Sequence, residues 1–347
     1  MIDTVVLKNE YYTESMFRSK EIYKDPISDC LYILHKDVVN SKGAVSVFSV
    51  DRTGKMTFMA KYNFGTSFVN GIVIKRFGDF LCVGSDTAYA VFKVAANGLL
   101  TLGHEATDMG GNTRDFAYDG TFLYASHYWE GISTYTMSAT GALTRVKNYD
   151  VATWTYSALE MVEGYLMAAV NSYLTVFSVS GTGQIAVRYS YSLSGTAERI
   201  QYIGNVAYVF HSNGLRTFTI NGSTGQATAK QVYVIAHGWR GAVASEKYVY
   251  FTDLNFDGVK VYSITDPATG AITSTGTEMS RLGRFNAINP DNKSELIYLG
   301  QYSQSYGQFY TIGHGIAELA SIRSDNKTSM NITQNGTGSA LKLNINI

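Results

Sequence analysis

The chain has 347 residues, with 28 basic and 28 acidic side chains and a formal net charge of zero. That balance excludes a global attraction to nucleic acid or acidic lipid. No run reaches about 18 consecutive apolar residues, so a membrane-spanning helix is not expected.

Charged residues make up 16% of the chain, against roughly 25% in an average globular protein. Tyr (26) and Gly (33) are abundant and Pro (3) is scarce, which suits short strands joined by tight turns. The first residues, Met1-Ile2-Asp3, lack the basic-then-apolar order of an export signal, so synthesis in a cytoplasm is expected. Thr4-Val5-Val6-Leu7 is strand-like and is a candidate outer strand for the last repeat. Cys30 and Cys82 stand without Cys or His at metal spacing and read as buried free thiols on strands.

From about residue 20 one pattern recurs: an alternating strand with an aromatic, an apolar residue two places on, and a turn containing Gly. The aromatics are Phe48, Phe92, Tyr135, Phe177, Phe218, Tyr262 and Tyr310. The turn glycines are Gly54, Gly98, Gly141, Gly183, Gly225, Gly270 and Gly315, at intervals of 42 to 45 residues. A second series of short apolar runs precedes the first by about twenty residues. It includes Leu31-Tyr32-Ile33-Leu34, Phe122-Leu123-Tyr124-Ala125 and Tyr248-Val249-Tyr250-Phe251. Such runs suit strands covered on both faces.

Four strands in about 43 residues is the spacing of a propeller blade. The sequence therefore predicts an all-β chain, a seven-bladed β-propeller of four-stranded blades over 20–323. The blades are expected at 20–64, 65–108, 109–151, 152–193, 194–236, 237–280 and 281–323. Residues 1–19 form an N-terminal segment, and 324–347 a short β tail. In the tail Leu341, Leu343, Ile345 and Ile347 alternate with polar residues, and Met330 and Ile332 are candidate partners across a turn at 335–338. Four apolar residues on one face suggest pairing with another subunit or another protein. A disordered tail is the competing reading.

The stretch GVKVYSITDPATGAIT (258–273), followed by GRFNAINPDNKSELIYLGQ (283–301), resembles the lactonase-like propellers, the group containing 6-phosphogluconolactonase and muconate-lactonizing enzymes. The resemblance implies a His, an acid and arginines at one end of the channel. His127, Glu198, Arg240 and Arg284 are the nearest matches, for a hydrolase acting on a small anionic lactone. The chain departs from that family at 110–114, Gly-Gly-Asn-Thr-Arg, where family members often carry a His-Pro-His-like stretch.

Independently of any resemblance, Arg114, Arg199, Arg240 and Arg284 recur at inner-strand starts, where several guanidiniums could hold a carboxylate or phosphate. Asp115 adjoins Arg114 and Glu198 adjoins Arg199. Tyr128, Trp129, Tyr173, His211, Phe256, Tyr302 and Tyr306 fall in neighbouring loops. Aromatics among amides suit sugar rings. Pairing of the arginines with carbonyls and acids around the channel is the competing reading. Asp253, Asn255 and Asp257 match the opening of a calcium loop, but Val261 and Ile264 stand where its later ligands belong, so an Asx-rich turn competes. No other cofactor is expected.

Residues 332–341, ITQNGTGSAL, resemble short segments of bacteriophage fibres and other virion appendages. That resemblance implies a non-enzymatic structural or binding propeller of a virion, in a tail or head appendage. It would bind another structural protein, a host surface glycan, or both. A lactonase-type hydrolase and a cytoplasmic interaction scaffold are the alternatives.

Overall fold

The computed structural model describes residues 5–12, 17–37, 42–51, 54–65, 71–106, 112–151, 154–235, 239–253, 258–279, 285–291, 296–301, 308–314, 322–323, 329–333 and 342–345. Every described regular element is a β-strand.

The chain opens with β1 (Val5–Tyr12), and six sheets of four consecutive antiparallel strands follow. The first is β2 (Phe17–Lys24), β3 (Cys30–Asp37), β4 (Gly43–Val50) and β5 (Met56–Asn63). The second is β6 (Gly71–Phe77), β7 (Phe80–Ser85), β8 (Tyr89–Val94) and β9 (Leu100–Ala106). Then come β10 (Thr113–Tyr118), β11 (Phe122–His127), β12 (Gly131–Met137) and β13 (Leu143–Tyr149). The fourth holds β14 (Tyr156–Val162), β15 (Tyr165–Val170), β16 (Tyr173–Val179) and β17 (Ile185–Ser192). The fifth holds β18 (Ala197–Ile203), β19 (Val206–His211), β20 (Gly214–Ile220) and β21 (Ala227–Val234). The sixth is β22 (Trp239–Ala244), β23 (Tyr248–Asp253), β24 (Gly258–Asp266) and β25 (Ala271–Met279).

A further four-stranded sheet is composite. It takes β26 (Phe285–Asp291), β27 (Leu296–Gln301) and β28 (Gln308–His314) from late in the chain. Its fourth strand is β1, which runs antiparallel to β28 with Val5 opposite His314 and Tyr12 opposite Gln308. A three-stranded sheet of β29 (Ile322–Arg323), β30 (Ser329–Thr333) and β31 (Lys342–Ile345) ends the chain.

The first strands of the four-stranded sheets neighbour one another in a circuit: β2, β6, β10, β14, β18, β22, β26 and back to β2. The sheets radiate from a common axis, which is the arrangement of a β-propeller with four-stranded blades. The apolar second strands explain it. Leu31, Tyr32, Ile33 and Leu34 are all fully buried, as are Leu166, Met167, Ala168 and Ala169, because blades cover both faces. The core is therefore divided among the gaps between blades. Tyr32, Leu34 and Val47 of the first blade meet Ile74, Leu81 and Phe92 of the second. Tyr124 and Ile132 meet Leu159, Leu166 and Phe177 in the same way. Each such side chain contributes roughly 1.5–3 kcal/mol when fully buried.

The turn glycines Gly54, Gly98, Gly141, Gly183, Gly225 and Gly270 all have φ between 69° and 87°. Gly225 also lies against the blade before it: a Cβ there would stand 2.6 Å from the Tyr165 ring. The turn thus needs Gly both for its backbone and for the close approach between blades. Gly315 lies outside the described residues.

Two boundaries differ from the sequence frame. The first inner strand begins at Phe17 rather than at residue 20, because its polar Arg18-Ser19-Lys20 opening carries no apolar alternation. Ile322–Arg323, placed in the last blade by the repeat spacing, pairs with Ser329–Met330 of the tail. In the tail, Met330 is opposite Ile345 and Ile332 is opposite Leu343. Leu341 and Ile347 lie outside the described residues.

Candidate functional site

Each inner strand carries a β-bulge near its start. In β10 the pairing runs Thr113↔His127 and then Asp115↔Ser126, which leaves Arg114 unpaired. The same slip leaves out Lys20, Ile72, Ser157, Glu198, Arg240 and Asn286 in the other six. A bulge re-aims the side chain that it frees. Arg114, Glu198 and Arg240 therefore share one structural position, and Asp115 and Arg199 share the next.

That next position opens an ion network inside the circuit of inner strands. Lys75 on β6 reaches Asp115 Oδ1 at 2.8 Å, the carbonyls of Phe116 and Leu159 at 3.0 Å each, and Glu160 Oε2 at 3.7 Å. Its ammonium thus spans three inner strands and has an acceptor for each of its three protons. Asp115 is as fully used. Its Oδ1 also accepts from the Phe116 N–H and its Oδ2 from the Leu159 N–H.

Arg199 on β18 donates to Glu21 Oε1 on β2 at 3.2 Å and to the Ala242 carbonyl at 3.4 Å. Strands β18 and β2 are not neighbours in the circuit, so this pair crosses the interior. Burial pushes the Glu21 and Glu160 carboxyls up, with Arg199 and Lys75 respectively opposing the shift. Burial works against the Lys75 charge, but Asp115 and Glu160 outweigh it and hold the ammonium protonated.

Glu21, Lys75 and Glu160 were not singled out from the sequence. The available signal was a charged or amide side chain in an inner strand four residues after the bulge-opening residue: Lys75 after Gly71, Glu160 after Tyr156, Gln201 after Ala197. Gln201 accepts from the Ala244 N–H at 2.7 Å and ties the fifth blade to the sixth.

The histidines occupy a different environment. His35, His127 and His211 stand at equivalent places near the ends of β3, β11 and β19, and all are fully buried. His127 Nδ1 is 3.4 Å from Thr113 Oγ1. Burial, aided by Arg145, pushes its imidazole down to about 4. A neutral, enclosed ring of this kind does not receive a substrate proton at neutral pH. Glu198, the acid nearest Arg199 in sequence, is exposed. The structure does not join His127 and Glu198 into an acid–base pair.

One group of predicted residues does come together on the rim. The Arg114 guanidinium stacks over the Tyr128 ring at 4.5 Å, and Tyr128 meets Trp129 edge-on at 4.4 Å. Trp129 is 66% exposed. The backbone holds this group firmly. Tyr128 N–H donates to the Asn112 carbonyl at 3.1 Å, and the Tyr128 carbonyl accepts from Tyr156 N–H at 3.2 Å. Asn112 itself has φ 59°, and its N–H donates to the Asp86 carbonyl at 2.6 Å.

Tyr173 is exposed at the start of β16. Arg240 lies on β22 and Asp253 on β23, where Asp253 pairs with Trp239. Arg284, Asn255, Phe256, Asp257, Tyr302 and Tyr306 lie outside the described residues. Among the described residues no three His, Cys, Asp or Glu side chains gather as a metal site. Cys30 and Cys82 are free and buried.

The chain shares the β-propeller fold. A Lactobacillus plantarum protein superposes with a TM-score of 0.64 at 17% identity, over 78% of this chain and 86% of that one. The WD40 domain of Neurospora crassa Pan2 gives 0.65 at 10% identity, over 91% and 97%. A Bacteroides fragilis protein named as a candidate 6-phosphogluconolactonase gives 0.63 at 12% identity, over 95% and 93%. Identities this low speak for the fold alone. No family model and no curated protein matches the chain.

Proposed function

We propose that the chain is a non-enzymatic binding propeller of seven blades, mounted on a bacteriophage particle, that engages another structural protein or a host glycan. The observation that carries the binding reading is the Arg199–Glu21 pair across the circuit, beside the Lys75–Asp115–Glu160 cluster. These charges are paired with one another and with backbone groups rather than left free for a substrate. His127, the ring nearest in kind to a lactonase base, is buried and neutral.

The seventh blade is the composite sheet, whose β26 touches both β22 and β2. Completing it with β1 ties the N-terminus to the end of the ring and hides a sheet edge. The support for a place on a particle is the segment 332–341. In that reading Leu341, Leu343, Ile345 and Ile347 lie in an attachment strand for a second chain. Deleting 324–347 then abolishes assembly while the propeller still melts cooperatively.

The test of the non-enzymatic reading is a panel of anionic and neutral lactones at neutral pH. Hydrolysis at the rate of buffer is expected. Robust turnover that vanishes in both Arg240→Ala and His127→Ala overturns it and favours the lactonase-type hydrolase.

A further inference from the structure

We infer that Arg114, Tyr128 and Trp129 form a binding site for an acidic sugar, a pyranose unit bearing a carboxylate. This rests on the binding reading above and gives it a ligand class.

The argument begins with the state of the arginine. Arg114 is displaced from the ladder by the β10 bulge and set over the Tyr128 ring. No hydrogen bond or ion pair to it occurs among the described residues. Its Nε is buried without a partner. Burial weakens its hold on the proton, against the nearby Tyr128 and Asp86. The molecule therefore keeps a half-desolvated guanidinium whose nitrogens have no hydrogen-bond acceptor among the described residues, whereas Arg199 is hydrogen-bonded to Glu21 and to the Ala242 carbonyl. An anion that docks on its outer nitrogens supplies the missing acceptors in bidentate form.

The second half of the site is aromatic. Trp129 presents an exposed indole whose neighbour Tyr128 is shared with the guanidinium. The cation and the indole thus lie within the span of a disaccharide. A flat exposed ring covers the apolar face of a pyranose, and the ring's edge contact with Tyr128 fixes its tilt. The backbone hydrogen bonds from Tyr128 to Asn112 and Tyr156 hold the platform before any ligand arrives, which lowers the ordering cost of binding.

Charge complementarity selects an acidic sugar over a neutral one. Arg114 is the attractive group here, set against the nearby Asp86, so a ligand carboxylate must seat on its outer nitrogens. A single exposed indole beside one cation suits a sugar face better than the side chains of an acidic peptide.

The test uses the full chain in titration calorimetry and tryptophan fluorescence. The probes are 3′-sialyllactose and tri-galacturonate, with lactose and galactotriose as neutral counterparts. Saturable binding of an acidic probe is expected, at least tenfold tighter than its neutral counterpart and weakened by salt. Trp129→Ala and Arg114→Gln should each weaken it at least tenfold, with the melting midpoint as the folding control. Equal binding of acidic and neutral probes, or full affinity in Trp129→Ala, overturns the proposal. Absence of binding to all four probes overturns it too. A lactone panel that stays silent in that case leaves the non-enzymatic reading standing with a ligand of another class.

Discussion

The hydroxyl of Tyr233 accepts a hydrogen bond from the backbone N–H of Ile272 at 2.7 Å, joining the outer strands of two successive blades. The same contact links Tyr62 to Leu100 at 3.0 Å and Tyr191 to Ala227 at 2.9 Å. In each case the tyrosine of β5, β17 or β21 satisfies the N–H at or beside the start of the next blade's outer strand. The blades are thus stapled at the periphery as well as packed at the centre. Tyr233→Phe keeps the ring and removes only the acceptor. It should cost about 1–2 kcal/mol, read as a lower urea midpoint with an unchanged slope.

These tyrosines show what the sequence could and could not reveal. Tyr62, Tyr149, Tyr191 and Tyr233 each stand eight residues beyond a turn glycine, so the periodicity was present in the string. Its meaning required knowing which backbone group the next blade brings within reach. The blade rhythm itself was legible because burial on both faces demands continuous apolar second strands, and the turns demand Gly. The bulges were not legible. Sequence alternation puts Arg114 and Asp115 on opposite faces, but a one-residue slip, invisible in residue types, decides that Asp115 meets Lys75 while Arg114 reaches Tyr128. The rim pair of Arg114 and Trp129 was named from residue type, whereas the ion network was missed because three of its members look like ordinary strand charges.

Gly225 and Gly204 separate two costs of a side chain at positive φ. Both are left-handed, at 73° and 60°. A Cβ at Gly204 meets nothing within 4 Å, whereas one at Gly225 meets the Tyr165 ring at 2.6 Å. Gly204→Ala should cost only backbone strain, about 1–2 kcal/mol. Gly225→Ala should cost more, because the turn must also retreat from the preceding blade. Parallel urea titrations of the two variants measure the difference, and equal losses would show that the blade contact yields freely.

His127 makes the fold sensitive to acid. Its imidazole stands at about 4 in the folded chain, below the usual value of 6.5. The unfolded chain therefore binds the proton first as pH falls. The contribution of the neutral buried ring is complete above pH 6.5 and is lost as pH falls toward about 4. The full shift corresponds to about 3 kcal/mol. His127→Asn should flatten that part of the stability profile between pH 7 and 4. Direct titration of the ring by NMR is the independent check, and a midpoint near 6.5 in the folded protein would refute the assignment.

The channel carboxylates have the opposite sign. Burial raises Glu21, so its folded form holds a proton at a pH where the unfolded chain has released it. Its contribution is greatest below the ordinary carboxylate value of about 4.3. It falls as pH rises from there through the raised folded value. Arg199 limits the loss by pairing with Glu21 across the circuit. Arg199→Met removes that compensation and leaves the buried carboxylate with only the weaker pull of Lys75, so its penalty should be larger at pH 8 than at pH 5. A loss of about 3–5 kcal/mol is the upper range for breaking a buried pair, and the partial exposure of both side chains places this one below it. Glu21→Gln cannot ionise, and in the Arg199→Met background it should restore much of the stability at pH 8 while changing little at pH 5. Urea unfolding of the two single variants and the double variant at both pH values closes the cycle. A pH-independent penalty in Arg199→Met would mean that the guanidinium acts through its bond to the Ala242 carbonyl rather than through Glu21.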